Sequence, residues 1–258
     1  MEHAILIEKL NEENFCLKFE LDSLADHLLH GNHERWVPGF MNRFGEILHL
    51  ERYKFAKDYV KDKTILDIAG GCGYGTLFLA ENGNPLEVHS VDLDEKAVRY
   101  ANHRYPHNKV IRHVANAETF SAPNQFDTII SFETIEHLRG YSKFIDQIHN
   151  NLKQNGQLII STPVVQKTST DNINKFHVIE WSLLDFQNLI KDKFEITHVF
   201  VQNLIYNSQI VDSFWKKIKY KLNPATFTSF SPQIVPLSKN VDIKNIHAGF
   251  QLLICTKK

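Results

Sequence analysis

The stretch Thr64-Ile65-Leu66-Asp67-Ile68-Ala69-Gly70-Gly71-Cys72-Gly73-Tyr74-Gly75 decides the fold of this chain. Its first five residues are a short apolar run, the pattern of a strand buried on both faces. Four glycines among residues 70–75 then let the backbone turn sharply. They also let it approach a ligand with no Cβ in the way. A helical stretch, Thr76–Asn82, follows. Strand, glycine-rich turn and helix in this order read as the start of a ligand-binding βαβ unit rather than an ordinary tight turn.

Outward from this point, strand and helix patterns alternate. Glu87–Asp92 reads as a second strand, and Asp94 as the N-cap of a helix over Glu95–Arg104. Lys109–Val114 and Phe126–Phe132 are the third and fourth strands. Tyr141, Phe144, Ile145, Ile148 and Leu152 form one helical stripe, with Gly156 placed to end that helix. Gln157–Thr162 is a fifth strand closed by Pro163. Ser182 and Asp185 resemble a capping box for a helix through Lys191. Glu195–Val201 and Phe250–Thr256 are the last two strands. The expectation is an α/β, Rossmann-like, seven-stranded and mostly parallel sheet with helices on both faces. Its ligands would sit beyond the carboxyl ends of the strands, where the strand order reverses. Residues 1–62 read as a helical N-terminal cap or lid, broken at Val37–Pro38–Gly39. Residues 63–202 read as the core and 248–258 as its last strand. Residues 203–247 are too long for a hairpin loop and read as an insertion covering the acceptor site.

Composition narrows the partners. Of 258 residues, 43% are apolar, enough for a substantial core, and 29 Lys+Arg oppose 30 Asp+Glu for a net charge of −1. That balance gives no electrostatic drive toward nucleic acid or an anionic membrane. The basic run Trp215–Lys221 reads as a solvated helix face. Cys16, Cys72 and Cys255 have neither disulfide-type nor metal-type spacing, so the expectation is reduced thiols and a cytoplasmic location. Residues 1–14 do not read as a signal peptide, and no apolar run is long enough to span a bilayer.

The glycine turn departs from two common nucleotide motifs. A G-x-G-x-x-G fingerprint begun at Gly71 meets Thr76 at its third glycine, and begun at Gly73 it meets Phe78. No Gly-Lys-Ser/Thr follows, which excludes a P-loop. The segment instead resembles the first motif of class I S-adenosylmethionine-dependent methyltransferases, carried here by Asp67, Ala69, Gly71 and Gly73. Ala69 stands where the commonest member has its first glycine. The resemblance implies a floor for the methionine part of S-adenosylmethionine, with Asp67 near its amino group. It implies that Asp92 accepts hydrogen bonds from both ribose hydroxyls, while Leu93 packs on the adenine. Asn116, in Ala115–Asn116–Ala117–Glu118, would accept from the adenine amino group, with Ala117 and Phe132 completing the cofactor-binding set. The resemblance runs from Lys63 to Ile190. Upstream, Glu34–Arg35–Trp36–Val37–Pro38 and His49–Leu50–Glu51–Arg52–Tyr53 resemble the lead-in of many bacterial members, which implies a lid over the cofactor.

The fourth strand runs into Phe132–Glu133–Thr134–Ile135–Glu136–His137–Leu138, where the family places residues beside the transferring methyl. In a helical turn, Glu133, Glu136 and His137 would share one face. His177, in the segment after the fifth strand, would reach the same rim. Two readings compete. In one, no metal is bound and His137 or His177 is a general base supported by a carboxylate, Glu133 or Glu136; His137 is the preferred base, with His177 orienting the acceptor. In the other, the four residues hold a divalent cation. That second pattern resembles the small-RNA 2′-O-methyltransferases, yet no basic stripe accompanies it. The reading carried forward is a metal-free O-methyltransferase acting on a small or carbohydrate-containing acceptor. The carbohydrate element rests on resemblance to bacterial enzymes of surface glycans and natural products, seen in the lead-in and in Phe176–His177…Glu180–Trp181. The alternative from another class is a non-catalytic S-adenosylmethionine-binding subunit.

Overall fold

The computed structural model describes residues 2–30, 37–39, 43–172, 174–206, 231–239 and 241–258. The Glu34–Trp36 part of the lead-in, most of the 203–247 segment and the basic run Trp215–Lys221 lie outside these residues. The elements are α1 (Glu2–His30), α2 (Arg43–Ala56), β1 (Thr64–Ile68), α3 (Tyr74–Asn82), β2 (Glu87–Asp92), α4 (Glu95–Arg104), β3 (Val110–Val114) and β4 (Phe126–Phe132). They continue as α5 (Tyr141–Asn151), β5 (Leu152–Val165), β6 (Trp181–Ser182), α6 (Leu183–Lys191), β7 (Phe194–Tyr206), β8 (Ile234–Pro236) and β9 (Ile246–Lys257).

The nine-stranded sheet has the order β3-β2-β1-β4-β5-β9-β7-β8, with β6 pairing β5 off this path. Strands β3, β2, β1, β4 and β5 are mutually parallel, whereas β9 runs antiparallel to both β5 and β7. Chain order reverses between β1 and β4. The ends of those two strands therefore flank the crevice where a doubly wound sheet takes its ligand.

Strand residues alternate between two packed layers. Leu66, Ile129, Leu158, Ile160 and Leu253 face Phe144, Ile145 and Ile148 of α5 and Phe186 and Ile190 of α6. Ile65, Ile130, Ile159, Leu252 and Ile254 face Tyr53 and Ala56 of α2 and Leu79 and Ala80 of α3. Burial on both faces explains why these strands read as continuous apolar runs. Two caps form as expected: Asp94 Oδ1 accepts from Lys96 N at 2.7 Å, and Ser182 Oγ accepts from Asp185 N at 3.2 Å.

Four local expectations change. The sheet has nine strands rather than seven, because the short β8 adds to the β7 edge and the short β6 pairs with the end of β5. Helix α5 ends at Asn151, before Gly156, and Leu152 is already extended. The Asn151 side chain fixes that end, accepting from Ala122 N and donating to Phe120 O. The left-handed residue at this corner is Asn155 (φ 61), not Gly156. Strand β5 runs through Pro163, which pairs with Phe250 of β9. Finally, β7 and β9 extend well beyond the apolar segments that mark them, since their long antiparallel pairing reaches Tyr206 and Ile246.

Candidate active site

The glycine turn is held from three sides. Asp67, at the end of β1, is buried, and its carboxylate accepts from Thr76 Oγ1 at 2.6 Å and from Tyr53 Oη at 3.3 Å. Burial pushes the Asp67 carboxyl up to about 6, against the pull of those two donors. Gly75 lies against the Tyr53 ring so closely that a Cβ there would sit 2.0 Å from it. Helix α2 is thus built into the floor of the turn, and Tyr53 is its contact.

On the other side, Asp92 Oδ2 accepts from Gly71 N at 2.8 Å and Oδ1 from Asp94 N at 2.9 Å. Gly71 is left-handed (φ 56), and a Cβ placed on it would meet no protein atom within 4 Å. The turn therefore presents open backbone on the side where Asp92 sits. Leu93 beside it is 68% exposed. Asn116 Oδ1 accepts from the Glu118 amide at 2.8 Å, an Asx turn that fixes the end of β3. Ala117 and Phe132 are buried, and Phe132 meets the Tyr53 ring edge-on at 5.2 Å.

Two non-glycine residues on this rim are left-handed: Ala69 (φ 63) after β1 and Glu133 (φ 51) after β4. A left-handed alanine costs roughly 1–2 kcal/mol. Strain of this kind persists where the surroundings hold it, and it gathers at functional sites.

The acceptor side separates the four residues expected to act together. Glu133 turns away in its left-handed conformation. Its Oε1 accepts from Ser161 Oγ at 2.7 Å and lies 3.6 Å from Arg52 Nη1. Arg52 is 1% exposed, donates through Nε to Gln202 Oε1 at 3.0 Å, and stacks on Phe250 at 4.3 Å. Neither of its terminal nitrogens has a hydrogen-bond partner among the described residues. Sequence reading noted Arg52 only as part of a lead-in; its burial beside Glu133 depends on β7 and β9, far away in the chain.

Glu136, His137 and His177 do converge, each offering a ligand atom within 4.8 Å of the others. Glu136 and His137 sit on a single 3₁₀ turn, Ile135–His137, after β4. His177 is brought in because Val178 N and Ile179 N both donate to Glu136 O. The Glu136 side chain is buried: Oε2 accepts from Thr162 Oγ1 at 3.1 Å, while Oε1 has no hydrogen-bond partner among the described residues and lies 4.0 Å from His137 Nε2. Burial, reinforced by the negative charge of Glu133, holds the Glu136 carboxyl well above the usual carboxylate range. His137 Nδ1 lies 3.3 Å from Phe176 O. A carbonyl only accepts, so Nδ1 carries the proton of the neutral ring and Nε2 keeps a lone pair. His177 Nδ1 donates to Glu180 Oε1 at 2.6 Å, and Asn174 Nδ2 lies 2.8 Å from Nε2. Glu180 was legible only as part of a resembling segment; its hold on His177 is an i,i+3 contact in a loop with no periodic signal.

With this geometry in place, comparison with known proteins settles the family. A sequence model described as a methyltransferase domain matches residues 60–223, more than half of the chain. This chain belongs to that family. A protein of Mycobacterium tuberculosis named as an S-adenosylmethionine-dependent methyltransferase is 31% identical over 134 residues, covering 50% of this chain and 47% of that protein. The chain thus matches about half the length of that relative. A ubiquinone biosynthesis O-methyltransferase of Thiobacillus denitrificans is 32% identical over 104 residues, covering 39% and 44% of the two chains. Among solved structures, the N-methyltransferase NodS of Bradyrhizobium japonicum, in complex with S-adenosylhomocysteine, superposes with a TM-score of 0.58. It is 14% identical, over 92% of this chain and 98% of that one, a likeness of fold.

The family's cofactor is S-adenosylmethionine, and the residues of this turn fit it. Gly71 leaves backbone open to a ligand, and the two oxygens of the Asp92 carboxylate suit a vicinal diol. The Asp67 carboxylate is closed in by Tyr53 and Thr76.

Proposed function

We propose that this chain methylates a hydroxyl oxygen of a small or carbohydrate-containing acceptor. The observation that carries this reading is the convergence of buried Glu136 with His137 and His177 at the same carboxyl end of the sheet as the glycine turn. When bound, S-adenosylmethionine supplies an electrophilic methyl group on a sulfonium centre. Asp92 and the Gly71 backbone bind and orient the cofactor. Acceptor alignment is the larger task of the remaining residues, because in-line transfer depends chiefly on positioning in a site closed to water. His137 takes the hydroxyl proton at Nε2, the nitrogen left basic by the Phe176 carbonyl. His177, oriented by Glu180, positions the acceptor. An oxygen acceptor is also the kind named for the Thiobacillus denitrificans relative.

One observation favours a second reading, a divalent cation among Glu136, His137 and His177. Each candidate ligand is braced on its far side, Glu136 by Thr162, His137 by the Phe176 carbonyl and His177 by Glu180. Outer partners of this kind orient ligands in metal sites. Transfer of labelled methyl from S-adenosylmethionine to a panel of hydroxyl acceptors, before and after exhaustive chelation, separates the two. We expect labelled methyl ether that persists after chelation. Activity lost on chelation and restored by one ion per chain contradicts the metal-free mechanism. No transfer to any acceptor, with the cofactor bound, leaves a binding subunit instead.

A further inference from the structure

Helix α1 has two apolar faces, and the fold uses one. Its inner face carries Phe15, Cys16 and Phe19 onto α4, where Phe19 stacks on Tyr100 at 4.7 Å and Arg99 lies over Phe15 at 4.0 Å. Ion pairs from Glu12 to Arg99 and from Glu13 and Glu20 to Arg104 fasten the same side. The other face carries Ile7, Leu10, Leu17, Leu21 and Leu28, between 46% and 73% exposed. Pinned by α4, the helix cannot turn this face inward.

The exposed face has the spacing of a coiled coil. Ile7, Asn14, Leu21 and Leu28 fall at successive a positions of a heptad, and Leu10, Leu17 and Leu24 at the d positions between them. Three heptads of this kind, about 33 Å of helix, form a seam rather than a scatter of surface leucines. A surface apolar stripe this long marks an interaction site.

The geometry points to a second copy of this chain as the occupant, joined through a parallel two-stranded coiled coil of α1. Asn14 carries the choice of partner and direction. In a parallel pair it faces its own counterpart at a, where two amides satisfy each other. In an antiparallel pair it faces a leucine and is buried unmatched. A membrane surface fits poorly: residues 2–30 carry seven carboxylates against two lysines. Anionic lipid repels that balance. The seam faces away from α4 and the sheet, so two bodies dock without displacing any contact described above.

The test is the mass of the full chain in solution, by light scattering during gel filtration at tens of micromolar. We expect a dimer. Leu17→Glu with Leu21→Glu should halve the mass while leaving cofactor affinity and far-ultraviolet circular dichroism unchanged. Leu29→Glu, at an exposed position off the seam, should stay dimeric. A monomeric wild type overturns the proposal, as does a seam variant that remains dimeric. So does a Leu29→Glu variant that dissociates, since it misplaces the seam. Flotation of the wild type with vesicles of phosphatidylcholine and phosphatidylserine, lost in the seam variant, would assign the face to a membrane and overturn it equally.

Discussion

We expect Asp92→Ala to lower affinity for S-adenosylmethionine by about 3 kcal/mol, more than a hundredfold, because the two charge-assisted hydrogen bonds proposed to the ribose are lost. The carboxylate has a second task that adds to the effect. It fixes Gly71 N and Asp94 N, so its removal also loosens the turn that faces the cofactor. Asp94→Ala is the contrast. It removes the cap on α4 and costs roughly 1 kcal/mol of stability with little change in affinity. Titration calorimetry and thermal unfolding of both variants check this. Loss of affinity in the Asp94 variant and not in the Asp92 variant would mean that the end of β2 has been assigned the wrong carboxylate.

His137→Gln lowers the methyl-transfer rate by about 10²–10⁴ while cofactor binding stays intact. The amide keeps a hydrogen-bonding group near Glu136 but cannot take a proton at neutral pH. Glu180→Gln, which acts through His177, should cost less and fall mainly on the acceptor's KM, the pattern of a positioning residue. Single-turnover kinetics with a competent acceptor read both. An unchanged rate for His137→Gln, or a Glu180→Gln defect larger than that of His137→Gln, rules out His137 as the proton acceptor.

The parallel half of the sheet was legible because each of its strands is a short apolar run ended by a turn signal. The placement of Asp67, the glycines and Asp92 at successive strand ends was legible for the same reason, and strand ends are where such a fold binds its ligands. What could not be read was non-local. Strand β5 continues through Pro163 only because β9 pairs with it there. Helix α5 stops at Asn151 because that side chain reaches the loop before β4, a contact with no local pattern. The site shows the same limit. A helical turn would have aligned Glu133 with Glu136 and His137, but a left-handed backbone at Glu133 sends it toward Ser161 and Arg52 instead. Nothing in a sequence marks a glutamate for that conformation. The two apolar stripes of α1 went unread because an apolar helix face gives no sign of whether it meets its own body or another.

The central claim, that the glycine turn and Asp92 hold S-adenosylmethionine, is tested most directly by calorimetric titration of the purified chain with S-adenosylhomocysteine and, separately, with NAD. We expect one molecule of S-adenosylhomocysteine bound per chain and no measurable binding of NAD. Saturable binding of NAD with none of S-adenosylhomocysteine would contradict it.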